Sequence, residues 1–121
     1  MERLKYRVWD KLQQRYRTDL LLGQDGNVVL PNGPDGDSGR FCVEQCTGLR
    51  DMNDDLIYDG DILTDGMYNG FVEWNNGSFH VALRDDRGED VGFIDIGLEI
   101  INRGESPYKI LGSFYNRPAT L

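Results

Sequence analysis

The chain carries one histidine, two cysteines, four prolines and no long apolar run in 121 residues. Each scarcity excludes something. Gly36-Asp37-Ser38-Gly39 has the look of the nucleophile turn of a chymotrypsin-like protease, but that chemistry needs a histidine base and an acid to orient it. His80 is the one histidine, and it sits between Phe79 and Val81, mid-strand, where a structural role is expected. A motif without its partners reads as a loop. Cys42 and Cys46, if on one strand, share a face about 13 Å apart at roughly 3.3 Å per residue, beyond the roughly 7 Å that a disulfide spans. Two thiols and a distant histidine do not close a zinc site, so buried free thiols and no metal are expected. Nothing approaches the roughly 20 apolar residues of a membrane helix, and Met1-Glu2-Arg3-Leu4-Lys5 lacks the apolar region of a secretory signal. The cytoplasm is therefore the expected location, and Asn76-Gly77-Ser78 is read as a turn and not as a glycosylation acceptor. No cofactor fingerprint is visible, so no cofactor is expected.

Charge is present in quantity and unevenly spread. Met1 to Arg17 holds six Lys/Arg against two acids, a balance of +4, while the remainder holds seven against nineteen, a balance of -12. An acidic body repels a phosphate backbone, which makes nucleic acid an unfavoured partner. Arg3, Lys5, Arg7 and Arg15 are the residues left to form a basic stripe.

The polar and apolar residues alternate in short runs. Leu4, Tyr6 and Val8 against Lys5, Arg7 and Trp9 give the period of a half-buried strand. Lys11 to Arg17 reads as a turn leading to a second strand. Asp19–Leu22 and Asn27–Leu30 flank Gln24-Asp25-Gly26, a hairpin signal. A Gly/Asp-rich flexible loop follows near 31–40, then a strand over Phe41–Cys46. Beyond a turn at Asp51–Asp55, Ile57–Leu63 reads as a strand broken at Gly60. Gly70–Trp74 and Phe79–Leu83 flank Asn75-Asn76-Gly77, the strongest turn signal in the chain. Arg84–Asp90 reads as a charged loop, Leu98–Ile101 and Tyr108–Tyr115 as the last two strands. Strands at this spacing predict an all-β chain: a small β subdomain over residues 1–46 packed on an SH3-like barrel over 47–121.

Asp51, Asn53, Asp55, Ile57 and Asp59 have the spacing of a calcium loop, but Leu56 stands where the sharp turn needs glycine and Ile62 where a bidentate glutamate belongs. Turn formation is the expected role of these acids. Trp9, Tyr58, Trp74 and Tyr115 lie near turns and are candidates either for ligand contact or for core and subunit contact.

Lys5-Tyr6-Arg7-Val8-Trp9-Asp10, Gln45 to Asp51, Leu56-Ile57-Tyr58-Asp59-Gly60-Asp61-Ile62, Gly70 to Trp74 and Ile110 to Pro118 together resemble, in order and over nearly the whole chain, the YopX family of phage and prophage proteins. The resemblance implies an SH3-like carboxyl-terminal barrel and life in a bacterial host, and it carries over no catalytic residues. The chain departs from the family pattern at Met52-Asn53-Asp54-Asp55, where a more basic, glycine-containing turn is usual, and in its longer loop before Phe41.

Gly48 and Gly60 are expected where backbone shape excludes a side chain, and Asp10 and Asp61 where carboxylates cap turns. The functional expectation is a non-enzymatic protein-interaction or assembly module with an acidic surface, forming homo-oligomers through open strand edges. Asp51, Asp54, Asp55 and Asp59, with Trp9, Tyr58 and Trp74, form the candidate surface; Asp85, Asp86, Glu89 and Asp90 are a second acidic cluster. The alternatives are a nucleic-acid-associated barrel, mimicry of nucleic acid to inhibit a host protein, or carboxylates that serve solubility alone.

Overall fold

Asp10 ends the first strand, Tyr6–Asp10 (β1), and its carboxylate shapes the turn that follows. Oδ1 accepts from the backbone N–H groups of Leu12 (3.0 Å) and Gln13 (3.1 Å). The chain returns antiparallel as Arg15–Arg17 (β2), with Tyr16 opposite Trp9. The structure, a computed structural model, describes residues 6–17, 21–22, 28–30, 33–34 and 40–116. Leu21–Leu22 (β3) and Val28–Leu30 (β4) pair antiparallel, as the hairpin signal predicts; the turn between them lies outside the described residues. Gly33–Pro34 (β5) joins β4, a correction to the reading of that stretch as loop throughout. The Gly36-Asp37-Ser38-Gly39 motif lies outside the described residues.

Phe41–Arg50 (β6) is longer than expected and runs through position 46, where sequence suggested a domain boundary. Its first half pairs with β1 from Tyr6↔Gln45 to Asp10↔Phe41. Its second half pairs with Leu56–Tyr58 (β7) across an irregularity at Gly48, whose φ of +78° suits glycine. The order of this sheet is β2-β1-β6-β7.

Gly60, at φ +88°, separates β7 from Asp61–Thr64 (β8), as the interrupted strand predicts. Asn69–Asn75 (β9) and Ser78–Arg84 (β10) form the expected hairpin. Its two loop residues, Asn76 and Gly77, have φ of +51° and +87°, the left-handed pair that matches strand twist in a two-residue turn. Asp90–Asp95 (β11) then pairs with β10, a strand that the sequence reading omitted. The expected strand at Leu98–Ile101 is a helix instead, Ile96–Arg103 (α1). Asp95 caps it by accepting from Leu98 N–H at 3.0 Å, and Gly104 at φ +76° ends it. Lys109–Ser113 (β12) completes a five-stranded antiparallel sheet, β11-β10-β9-β8-β12, curled into a half-barrel. The chain is all-β with one short helix among the described residues.

Ile57, Leu63, Val72, Val81, Leu83, Ile96 and Tyr108 form the core inside that curl. Ile57 comes from the four-stranded sheet and Ile96 from the helix, so one apolar cluster holds three elements of different origin. Each such side chain taken from water contributes about 1.5–3 kcal/mol. No described helix is long and apolar enough to cross a membrane.

Candidate binding site

Arg7 stands opposite Glu44 in the β1–β6 register, and this pairing starts a polar network beneath the surface. Arg7 Nε donates to Glu44 Oε1 at 2.9 Å, and its Nη2 donates to Asp61 Oδ1. The guanidinium carbon lies 4.4 Å from the Tyr16 ring centre and 4.5 Å from that of Tyr58. Two rings and two carboxylates thus hold one cation, satisfying both its charge and its faces. Tyr16 donates its hydroxyl to Glu44 at 2.8 Å and shares a hydrogen bond with Ser113, so the network ties the two sheets together. Burial pushes the Glu44 and Asp61 carboxyls up from their ordinary values, because one arginine faces two carboxylates away from water. Burial also pushes the Tyr16 hydroxyl up.

Gly60 makes room for this arrangement. A Cβ at position 60 would stand 2.1 Å from Glu44 Oε2. Beside it opens a cleft of about 240 Å³, lined by Glu44, Asp59, Gly60, Phe71, Glu73 and Phe114 among others. Burial pushes the Asp59 carboxyl up, and the charge of Glu73 acts in the same direction. The Phe71 and Phe114 rings are 5.9 Å apart and tilted by 59°, and Tyr115 meets Phe114 edge-on at 5.0 Å.

Phe71 also belongs to a second feature. In register across the outer face of the five-stranded sheet stand Ile62, Phe71, Ala82 and Phe93, one from each of β8, β9, β10 and β11. Ile62 is covered, but Phe71 is 37% and Phe93 50% exposed. His80 is half-buried and stacks on Phe93 with ring centres 4.5 Å apart. A shallow cavity of about 380 Å³ over Ile62, Phe71 and Ala82 is edged by Glu73 and Arg84.

The residues singled out from sequence are dispersed. Asp51 is buried: Oδ1 accepts from the N–H of Asn53 and of Asp55, both at 2.9 Å, and Oδ2 from Ile110 at 3.2 Å. It belongs to the turn and not to an acidic surface. Trp9 is buried too, edge-on to Tyr16 and stacked on Tyr115. Tyr58 is half-buried beneath Arg7. Asp54 and Asp55 are exposed, Asp54 facing Arg50 at 3.7 Å, and Trp74 is exposed against Phe79. Asp59 alone of the seven lines the cleft, which among the described residues includes neither Asp61 nor His80. In the second acidic cluster, Asp85 caps its own turn and Asp90 pairs with Arg84 at 3.1 Å. Cys42 and Cys46 are free and half-buried, a more open setting than expected. Sequence reading missed Phe71, Glu73, Phe93 and Phe114. The available signal was Phe71 between Gly70 and Val72: a strand apolar at three successive positions has apolar groups on both faces.

No curated protein matches the chain. The family model described as "YopX protein" matches residues 5–121, essentially the whole chain, and the protein belongs to that family of phage-type proteins.

Proposed function

We propose that the protein is a non-enzymatic protein-interaction module, acting in the cytoplasm of a bacterial host, that engages a protein partner through the outer face of its five-stranded sheet. The row Phe71–Ala82–Phe93 carries this reading: two exposed aromatic rings in register, rimmed by Glu73, Arg84 and Asp90. Exposed apolar groups with a polar rim are the usual mark of a protein contact. The carboxylates that drew attention in sequence support the same view, since Asp10, Asp51 and Asp61 all bond backbone N–H groups. Nucleic acid fits less well. Of the four residues of the basic stripe, Arg7 is engaged by Glu44 and Asp61, Arg15 is exposed and donates to Gln13 Oε1 at 2.8 Å, and Arg3 and Lys5 lie outside the described residues.

Self-association is a second reading, favoured by β11. It is an edge of its sheet and carries Val91, 43% exposed, beside Phe93. Capture from bacterial lysate on immobilised protein, with light scattering on the free protein, separates the two. A retained protein that Phe93→Glu loses supports the partner reading; a particle of twice the 13.8 kDa chain mass that Phe93→Glu returns to monomer supports self-association. Unchanged behaviour of Phe93→Glu in both experiments overturns the use of this face.

A further inference from the structure

We propose that the protein partner adds a strand to the open edge of β11, an extended segment with a lysine or arginine at each end; the inference rests on the protein-binding reading above. The hairpin at Asn76-Gly77 shows which backbone groups that edge presents. Asn75 and Ser78 close a two-residue turn, so they form a hydrogen-bonded pair, and bonded and non-bonded pairs alternate from there. His80 and Ala82 thus turn their N–H and C=O toward β9, and Val81 and Leu83 toward β11. The Val72 carbonyl fits this alternation: opposite Val81, it turns away from β10 and accepts from Gly60 N–H at 2.9 Å. On β11 the bonded residues are therefore Ile94 and Gly92, opposite Val81 and Leu83. Phe93 directs its N–H and C=O off the sheet, and Asp95 its N–H, and among the described residues nothing meets them. Such an edge is a template for one more strand. Its side chains add apolar contact, since Val91 is 43% and Phe93 50% exposed.

Charge at the two ends of the strand selects the occupant. Asp85 to Asp95 holds five acids against Arg87 alone. Asp90 is answered by Arg84, but Glu89 is exposed just before the strand, and Asp95 closes it. A second copy fits the backbone and not the charge. With an antiparallel two-fold axis at Gly92, Glu89 of each copy stands opposite Asp95 of the other, and like charges directly opposite destabilise a strand pair. Each copy also brings a net charge of -8. A foreign segment with a basic residue at each end meets both acids with opposite sign. A β-branched residue between them packs on Phe93.

The probe is acetyl-Lys-Val-Thr-Val-Thr-Val-Lys-amide, added to the whole protein and followed by amide hydrogen exchange. In the free protein the N–H groups of Gly92 and Ile94 should exchange slowly and those of Phe93 and Asp95 fast. Saturating peptide is expected to slow Phe93 and Asp95 by about tenfold or more. N-methylation of one alternate set of peptide residues should abolish the effect, and N-methylation of the other set should leave it, because only alternate N–H groups of a strand face its neighbour. The peptide with Glu in place of Lys should bind more weakly by about tenfold or more, and so should the Lys peptide to Glu89→Lys. Slow exchange of Phe93 in the free protein, which a second copy on the edge would give, overturns the proposal. So does an absence of slowing with peptide, an equal effect of the two N-methylated sets, or equal affinity for the Glu peptide. If Phe93→Glu loses the partner from lysate while the peptide fails, strand addition is wrong and the protein-binding reading stands. If Phe93→Glu keeps the partner, that reading fails by itself.

Discussion

Gly60 and Glu44 divide one small volume between them: the space a side chain at 60 would fill is taken by Glu44 Oε2, 2.1 Å from an ideal Cβ. A flexible glutamate would swing away. This one is pinned by Arg7 and Tyr16 and is 5% exposed. Gly60→Ala therefore meets both a fixed neighbour and a φ of +88°. Gly48, at φ +78°, has nothing within 4 Å of its Cβ position, so Gly48→Ala meets backbone strain alone. Urea unfolding should show a loss of about 1 kcal/mol for Gly48→Ala and clearly more, about 3 kcal/mol, for Gly60→Ala. Equal losses would mean that Glu44 is free to move.

Asp10 should give the protein an acid-sensitive share of its stability. Its carboxylate accepts from Arg40 Nε at 3.1 Å and Nη2 at 3.0 Å, from Arg17 and from two backbone N–H groups. The Arg40 bonds above all hold its folded value well below the ordinary 3.8. A depressed carboxylate stabilises fully above its unfolded value, and that stabilisation is lost as pH falls through 3.8 toward the folded value. Asp10→Asn should cost about 3 kcal/mol at pH 7. The gap between the two proteins should close as unfolding is measured at successively lower pH. Glu44 and Asp61 act in the opposite sense, since their raised values favour the folded state as pH falls, but they are common to both proteins and leave the gap unaffected. A gap constant down to pH 2 would contradict the account.

Asp51 and Asp55 are neighbours in the same turn with different work. Asp51 satisfies three backbone N–H groups, one of them on β12, fifty-nine residues away. The Asp55 side chain is exposed. Thermal melts should show Asp51→Ala destabilised by about 3 kcal/mol and Asp55→Lys changed by no more than about 0.5 kcal/mol. The reverse order would return Asp51 to the surface role expected from sequence.

The helix shows where sequence reading falls short and why. Ile96, Leu98 and Ile100 alternate like a strand, and so a strand was expected over Leu98–Ile101. Ile96 and Ile100, four apart, both face the core, while Leu98 is 57% exposed. In so short a segment the two periods cannot be told apart, and the caps decide. Asp95 and Gly104 were both visible in the sequence. Asp95→Ala should lower the melting temperature and Asp95→Ser should restore most of it; no effect from either would remove the cap from the account.

Turns, hairpins and strand breaks were legible because each has a residue requirement: Asn76-Gly77 for the left-handed pair, Gly60 for the kink, Asp10 and Asp61 for backbone N–H groups. The site was less so. Exposure depends on which face of each strand the partner sheet covers, and register alone shows that Phe71 and Phe93 share the open face while Trp9 is enclosed by Tyr16 and Tyr115. Acid density in sequence marked residues such as Asp51 that the backbone consumes.

The most direct measurement is the amount of bacterial partner retained at matched protein density by the native chain, Phe93→Glu and Asp55→Lys, each shown by circular dichroism to be folded. The outer-face account predicts that Phe93→Glu retains less by about tenfold or more, the loss of an anchoring aromatic residue, and that Asp55→Lys retains the native amount. Full retention by Phe93→Glu, or loss confined to Asp55→Lys, would contradict it and move the contact to the acidic turn.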